Sequence, residues 1–455
     1  MPQPSPDPAF VLRGHRADVQ CLAFSRDGRD LWSGDADGEV RRWDLDERRP
    51  SLARRLHGAD AGVLQLAVAQ LPGGEALVTQ GRDGVVRCWR VLPDGALPAE
   101  PSAALECGGY NFCRFSLLQQ PGAGAPPSAA VPAGDAQRDG PAEAGGTGRA
   151  ADALQRQQPT SEADEQQREG QPRGGQADDR EPPRQLRQQQ PRQQQPSESE
   201  PPDRGAGPGA PLLAAPCSDA ATIGVWELAA TPANAQPQLR LEQARPKGTP
   251  QRGMAMALAL FSGAAGGGAP HVLAGYENGA VALWDGRAPG QPLAEAQLHS
   301  EPAMALALGP AGAVGPAAGG GAGAGAAPLC AVSGSADSAL AFFSVDAAAG
   351  ALRVTASRQL PSPGVGDVAV RGDGRVVASA HWDGRVRLWH ARRAAPLGVL
   401  RYHSKSAAAV AFCGAGDMAL ASGGRDGAVA LWRVFPAEGG QGGGDSGGGW
   451  AGGEG

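Results

Sequence analysis

Ser422 and Asp426 lie four residues apart, and His403 precedes Ser422 by nineteen. A hydroxyl, an imidazole and a carboxylate are the parts of a nucleophilic triad, in which the imidazole takes the hydroxyl proton and the carboxylate orients the ring. The same three types also fit a structural chain. There Asp accepts from its turn and from His, His bonds the hydroxyl, and the hydroxyl accepts the indole N–H of a nearby Trp, here Trp432. Repetition separates the two readings. His15, Ser33, Asp37 and Trp43 form one such set near the start, and His57, Thr79, Asp83 and Trp89 form another. His15 to Phe24 and His403 to Phe412 both span nine residues, so the registers agree. A nucleophile is needed once, whereas a staple for buried polar groups is needed in every copy, at about 1–3 kcal/mol per group left unpaired. The sequence therefore predicts structural hydrogen-bond tetrads and no catalytic set. No nucleotide loop, metal-ligand cluster or unique titratable pair stands beside them, so neither an enzyme nor a cofactor is expected.

The elements that must hold these residues also repeat. "LWSGDADGEVRRWD" ends at Trp43–Asp44, "LVTQGRDGVVRCWR" reaches Trp89, and "LAGYENGAVALWD" ends at Trp284–Asp285. "VASAHWDGRVRLWH" reaches Trp389 and "LASGGRDGAVALWR" reaches Trp432. Two weaker copies centre on Phe343 and Trp226, giving seven units. Trp43 to Trp89 and Phe343 to Trp389 are both 46 residues, and Trp389 to Trp432 is 43. That matches one four-stranded propeller blade of about 40–45 residues. Asp-Gly between two alternating strands is a hairpin signal, because both residues tolerate a tight turn. The expected fold is all-β, a single seven-bladed WD40 β-propeller. The last blade runs out of chain after Trp432, so its outer strand should come from "AFVLR" (9–13), closing the ring.

Several blades depart from the pattern. Ala274 and Asn278 stand at the Ser and Asp positions of the fourth. The fifth keeps His299, Ser333 and Asp337, the sixth has Ser379, Asp383 and Trp389 without an evident His, and the third keeps Trp226 alone. The third and fourth blades are therefore expected to be the least stable. Residues 119–210 contain no Phe, Tyr or Trp and are rich in Gly, Pro, Gln, Arg, Glu and Ser. Such a segment cannot bury enough apolar surface to offset its ordering entropy, so a disordered insertion in blade three is expected. The organisation read from sequence is thus blades one to three (start) over 9–118, the insertion over 119–210, the remaining blades over 211–436, and a Gly-rich, disordered tail over 437–455.

Composition bounds the rest. A formal charge of −6 over 455 residues, with scattered basic residues, gives no nucleic-acid footprint. Seven scattered Cys without a C-x-x-C pair read as reduced thiols. "MPQPSPDPAF" has no signal-peptide pattern, and "MAMALALF" (254–261) is too short to cross a bilayer, so no membrane association is expected.

The opening "PDPAFVLRGH", the middle "GYNFCRFSLL" and "LAGYENGAVALWD", and the closing third resemble one family. The Pro-Gly opening of blade six, "HWDGRVRLWH" and the "YHS" that starts blade seven carry most of the likeness. The chain is similar to the ASTRA-associated protein 1 family, known in animals as G-protein β-subunit-like protein 1. The resemblance implies a non-catalytic scaffold subunit, nuclear and also cytoplasmic, associated with chromatin remodelling. Its implied partners are PI3-kinase-like kinases, co-chaperones and AAA+ ATPases. About nine Pro-rich residues precede Phe10, too few for the helix that a conventional β subunit uses to bind its γ partner. A rival reading rests on Trp284, Asp285 and Arg287, which resemble the W-D-x-R signature of substrate receptors docking a cullin–RING ubiquitin-ligase adaptor. Turn residues Tyr276, Trp382 and Arg425 are candidate partner anchors, since aromatic and Arg side chains dominate binding hot spots.

Overall fold

A computed structural model describes residues 6–108, 112–120, 209–219, 221–228, 236–242, 251–263, 269–311, 328–414 and 420–434. The predicted insertion, apart from its flanks, and the Gly-rich tail lie outside the described residues.

Among the described residues, twenty-eight strands form seven four-stranded antiparallel sheets. The N-terminal strand β1 is Phe10–Arg13. Blade one then follows in chain order as β2 (Val19–Phe24), β3 (Asp30–Asp35), β4 (Glu39–Asp44) and β5 (Arg49–Arg55). Blade two is β6 (Gln65–Leu71), β7 (Gly74–Gln80), β8 (Val85–Arg90) and β9 (Ala103–Glu106). Blade three is β10 (Ser116–Leu118), β11 (Leu212–Pro216), β12 (Ile223–Glu227) and β13 (Leu239–Leu241). Blade four is β14 (Ala255–Ser262), β15 (Pro270–Tyr276), β16 (Ala280–Asp285) and β17 (Ala294–Gln297). Blade five is β18 (Ala303–Ala311), β19 (Leu329–Ser335), β20 (Ala339–Asp346) and β21 (Ala351–Gln359). Blade six is β22 (Val365–Val370), β23 (Val376–His381), β24 (Arg385–His390) and β25 (Ala395–Arg401). Blade seven combines β26 (Ala407–Phe412), β27 (Leu420–Gly424) and β28 (Ala428–Trp432) with β1. This is a seven-bladed β-propeller. The apolar stretch near 254–261 is its strand β14.

Each blade follows one plan. The second and third strands carry almost unbroken runs of buried residues, as in β27 and β28, because each faces a neighbouring blade on both sides. The outer strand alternates and is largely exposed, as in β5. The turn between the second and third strands uses Gly at positive φ, +81° at Gly38 and +75° at Gly427. A Cβ on Gly38 would overlap the His57 carbonyl, so this turn also sets how closely blade two approaches.

The ring closes as predicted. Phe10 to Arg13 pair with Leu431 to Ala428, and Leu12 is buried between Val429 and its neighbours. The inner strands β2 and β26 then lie side by side. The chain leaves and rejoins blade three between adjacent strands, since Leu118 pairs with Leu212. Residues between them therefore do not interrupt the sheet's own ladder. One side chain also ties distant blades together. Arg114, just before β10, donates to the carbonyls of Gln20 (2.9 Å) and Ala408 (3.1 Å) and pairs with Asp367 at 2.9 Å. It thereby links blade three to blades one, seven and six. Six cysteines are buried free thiols, and burial pushes the Cys21 thiol up to about 12.

Candidate functional site

In blade seven, His403 Nε2 lies 2.9 Å from Ser422 Oγ, and Trp432 Nε1 donates to the same Oγ at 2.9 Å. His403 Nδ1 is 3.1 Å from Asp426 Oδ1, and Asp426 also accepts the backbone N–H of Ser404 and Ala428. The proton order follows from donor inventory. The carboxylate can only accept, so Nδ1–H donates to it, Nε2 accepts from the Ser hydroxyl, and the Ser lone pair takes the indole N–H. Burial alone would raise the Asp426 pKa, but the hydrogen bonds from His403 and the backbone hold it down at about 2.

Blade two repeats the arrangement. Thr79 Oγ1 lies 3.0 Å from His57 Nε2 and accepts from Trp89 Nε1 at 3.1 Å, while Asp83 sits 3.6 Å from His57 Nδ1. Arg87 also contacts both His57 and Asp83. In blade five His299 Nε2 is 2.9 Å from Ser333 Oγ and Nδ1 is 3.3 Å from Asp337, with Phe343 replacing the indole.

Blade one departs from the sequence reading. His15 Nε2 and Trp43 Nε1 meet at Ser33 Oγ (2.7 and 2.8 Å), but the carboxylate on His15 Nδ1 belongs to Asp35, at 2.7 Å. Asp37, the residue expected there, is exposed in the turn, where its backbone N–H donates to Asp35. Asp35 is two residues after the hydroxyl rather than four, and it also accepts the N–H of Glu39.

That position, two residues after the hydroxyl, explains the other irregular blades. It is Gly81 in blade two and Gly424 in blade seven. A Cβ on Gly424 would overlap His403 Nδ1 and sit 2.6 Å from Asp426 Oδ1, so a complete tetrad leaves no room for a side chain. In blades one, four and six the side chain there takes over a tetrad role, whereas Ser335 of blade five donates to the Glu301 carbonyl and leaves the His299, Ser333 and Asp337 set in place. In blade six it is His381, whose Nε2 is 2.8 Å from Ser379 Oγ; Trp389 donates to the same oxygen at 2.9 Å. Asp383 there is held by Arg387 instead. In blade four it is Tyr276, whose hydroxyl accepts the Trp284 indole N–H at 3.0 Å in place of the missing Ser. Tyr276 is therefore 1% exposed and is no surface anchor, contrary to the sequence reading. Arg252 lies over both the Tyr276 and Trp284 rings and pairs with Glu295.

As chemistry, the arrangement excludes the triad role for these groups. Every hydroxyl in it (Ser33, Thr79, Ser333, Ser379, Ser422) is fully buried, and four of the five already accept an indole N–H. Among the described residues, the three acidic and imidazole groups close enough to share a metal ion are His15, Asp35 and Glu39. His15 has both nitrogens engaged and Glu39 is paired with Arg41, so the cluster is a further part of the staple.

The remaining sequence candidates are at the surface. Trp382 is 44% exposed, and the Arg425 side chain is 56% exposed with Asp18 at 3.9 Å. Trp284 is buried in blade four, while Asp285 clamps Arg287 through both carboxylate oxygens and leaves that side chain 69% exposed.

Comparison with known proteins agrees with this geometry. The "WD domain, G-beta repeat" family model matches residues 6–44, 355–390 and 394–433, the first, sixth and seventh blades with the strand before each. These are WD40 repeats. The chain is 27% identical to guanine nucleotide-binding protein subunit beta-like protein 1 of Mus musculus, over 95% of this chain and 98% of that protein. It is 26% identical to ASTRA-associated protein 1 of Verticillium alfalfae over 94% of this chain and 85% of that one. A segment covering 19% of the chain is 40% identical to ASTRA-associated protein 1 of Schizosaccharomyces japonicus, covering 22% of that relative. The resemblance drawn from sequence thus extends over nearly the whole propeller.

Proposed function

We propose that this propeller is a non-catalytic scaffold subunit of an ASTRA-type assembly. It would hold PI3-kinase-like kinases, co-chaperones and AAA+ ATPases, acting in the nucleus and also in the cytoplasm. The observation that carries the scaffold reading is the use of each Ser/Thr–His–Asp set as an internal staple. The hydroxyl, imidazole and carboxylate groups of these sets are taken up by the fold, which favours a role for the loop-bearing faces of the ring. The assembly is suggested by the length of the similarity, 94% of this chain, to a relative named for it. Affinity purification of the tagged full chain with mass spectrometry tests it. Co-purification of kinases of that class with AAA+ ATPases is expected, and their absence overturns the reading.

The rival reading, a substrate receptor of a cullin–RING ligase, draws on the exposed Arg287 guanidinium fixed by Asp285. It requires that adaptor capture be lost in Arg287→Ala while the melting temperature stays unchanged.

A further inference from the structure

In blade three the staple's hydroxyl and imidazole are both missing. Ala215 stands at the hydroxyl position, fully buried. The Cys107 N–H donates to the Gly84 carbonyl at 2.8 Å, as the Leu56 N–H donates to the Gly38 carbonyl at 2.9 Å. Leu56 directly precedes His57, so Gly108 stands where the imidazole of blade three would be. A Cβ on Gly108 would come 2.5 Å from the Ser218 backbone nitrogen and 2.6 Å from the Cys217 carbonyl carbon, which leaves no room for a side chain. Cys217 occupies the place two residues after Ala215, the place held by Asp35, Tyr276 and His381 in blades one, four and six.

Two thiols take the place of those groups. Cys107 and Cys217 are 2% and 8% exposed, and both line one cavity of about 560 Å³ together with Trp226 and Arg240. At Gly108 and Ser218 the two segments lie backbone against backbone, the close approach of chains that a disulfide needs. The thiols also act on each other. Burial, and to a lesser degree Cys217, pushes the Cys107 thiol up to about 12. Burial raises Cys217 as well, while the Arg240 guanidinium opposes that shift. Cys107 directly follows β9, the outer strand of blade two, and Cys217 directly follows β11. A bond between them would join the same kinds of element that the His57–Thr79 contact joins one blade earlier, a loop after an outer strand and the second strand of the next sheet.

We propose that Cys107 and Cys217 are a redox-sensitive dithiol, which a small disulfide of the glutathione class closes into a covalent staple for blade three. Cys217, the more open of the two and the one beside Arg240, attacks first. Its thiol gives its proton to water, and the thiolate displaces one glutathione thiolate from the small disulfide, which picks up a proton. Cys107 then loses its proton and attacks the Cys217 sulfur, and the second glutathione leaves as a thiol. Two protein thiols are oxidised, two electrons pass, and one small disulfide is reduced to two thiols. Burial sets both the pace and the direction. Protonated thiols attack slowly. Because the reduced pair gains nothing as thiolates, the bridge resists reduction once made.

The test is incubation of the full-length protein at graded ratios of glutathione to glutathione disulfide, with circular dichroism to follow the fold. Free thiols are then trapped by alkylation and the peptides mapped without reduction. A Cys107–Cys217 cross-link is expected in the folded protein. Its formation should slow amide exchange in β11 and β12 by about tenfold or more and leave β27 and β28 unchanged. Cys107→Ala and Cys217→Ala should each abolish that response to the oxidant. The mapping uses the unaltered chain, so it decides the matter even where a variant fails to fold. Absence of the cross-link at every ratio, pairing with a different cysteine, or a bridge that leaves exchange in β11 and β12 as it was overturns the proposal. None of these outcomes bears on the ASTRA-type scaffold, which affinity purification tests separately.

Discussion

At the scale of single residues, one oxygen does most of the joining within a blade. Ser422 Oγ is shared by His403 and Trp432 and is fully buried. Ser422→Ala leaves an imidazole and an indole N–H without that partner, and we expect it to cost about 2 kcal/mol or more in chemical denaturation. Gly424→Ala probes the same staple from the opposite side, by adding atoms. Its Cβ would collide with His403 and Asp426, so it should destabilise although alanine ordinarily suits a strand better than glycine. If Gly424→Ala melts at or above the unaltered temperature, the position is not reserved for the tetrad. The hydroxyls, the indoles and most imidazoles were legible from spacing alone. Asp35, His381 and Tyr276 were not, because the reading fixed the acid four residues after the hydroxyl. Glycine is absent two residues after the hydroxyl in all three of those blades, but also in blade five, where Ser335 leaves the His299 and Asp337 contacts in place, so its absence alone does not mark the rearrangement.

At the scale of the strand and the sheet, blades differ in how they are secured. Blade four lacks the Ser yet gains the Tyr276–Trp284 bond and the stacked Arg252, so it is better supported than its sequence suggests. Blade three has Ala215 at the hydroxyl position, and its inner and outer strands are three residues each. Amide exchange should therefore be faster in β11 and β12 than in β27 and β28, and equal protection would contradict this. The closing strand β1 is only four residues, but it covers the edge of blade seven and buries Leu12. Removing residues 1–13 should lower the melting temperature of the whole ring rather than fray one blade, as circular dichroism and hydrogen exchange can separate. The strand itself was readable as the fourth piece that a blade with three consecutive strands must borrow.

At the scale of the whole molecule, buried imidazoles set the response to acid. Burial lowers the pKa of His57, His271, His299 and His381, that of His381 to about 3. In the unfolded chain the same groups protonate near pH 6.5. As the pH falls below that value the unfolded state binds protons that the folded state refuses, so stability declines from about 6.5 downward. Asp426 adds an acid-side loss of its own, since its depressed pKa contributes stability above the unfolded carboxylate value that disappears as the pH falls toward about 2. The melting temperature should be flat from pH 8 to 7 and drop progressively toward pH 4. A maximum near pH 5 would contradict the sign.

The pairing of Phe10–Arg13 with Ala428–Leu431 has one more consequence, in the order of events during synthesis. Strand β1, made before the other described strands, is completed by β28, made after them. While translation proceeds, β1 waits unpaired and β2 has no neighbour from blade seven, so the ring cannot lock blade by blade from its start. A nascent chain stopped short of residue 428 holds most of its sheets but not its closure. A cell making this protein must shield an open arc of blades until Ala428–Trp432 emerges.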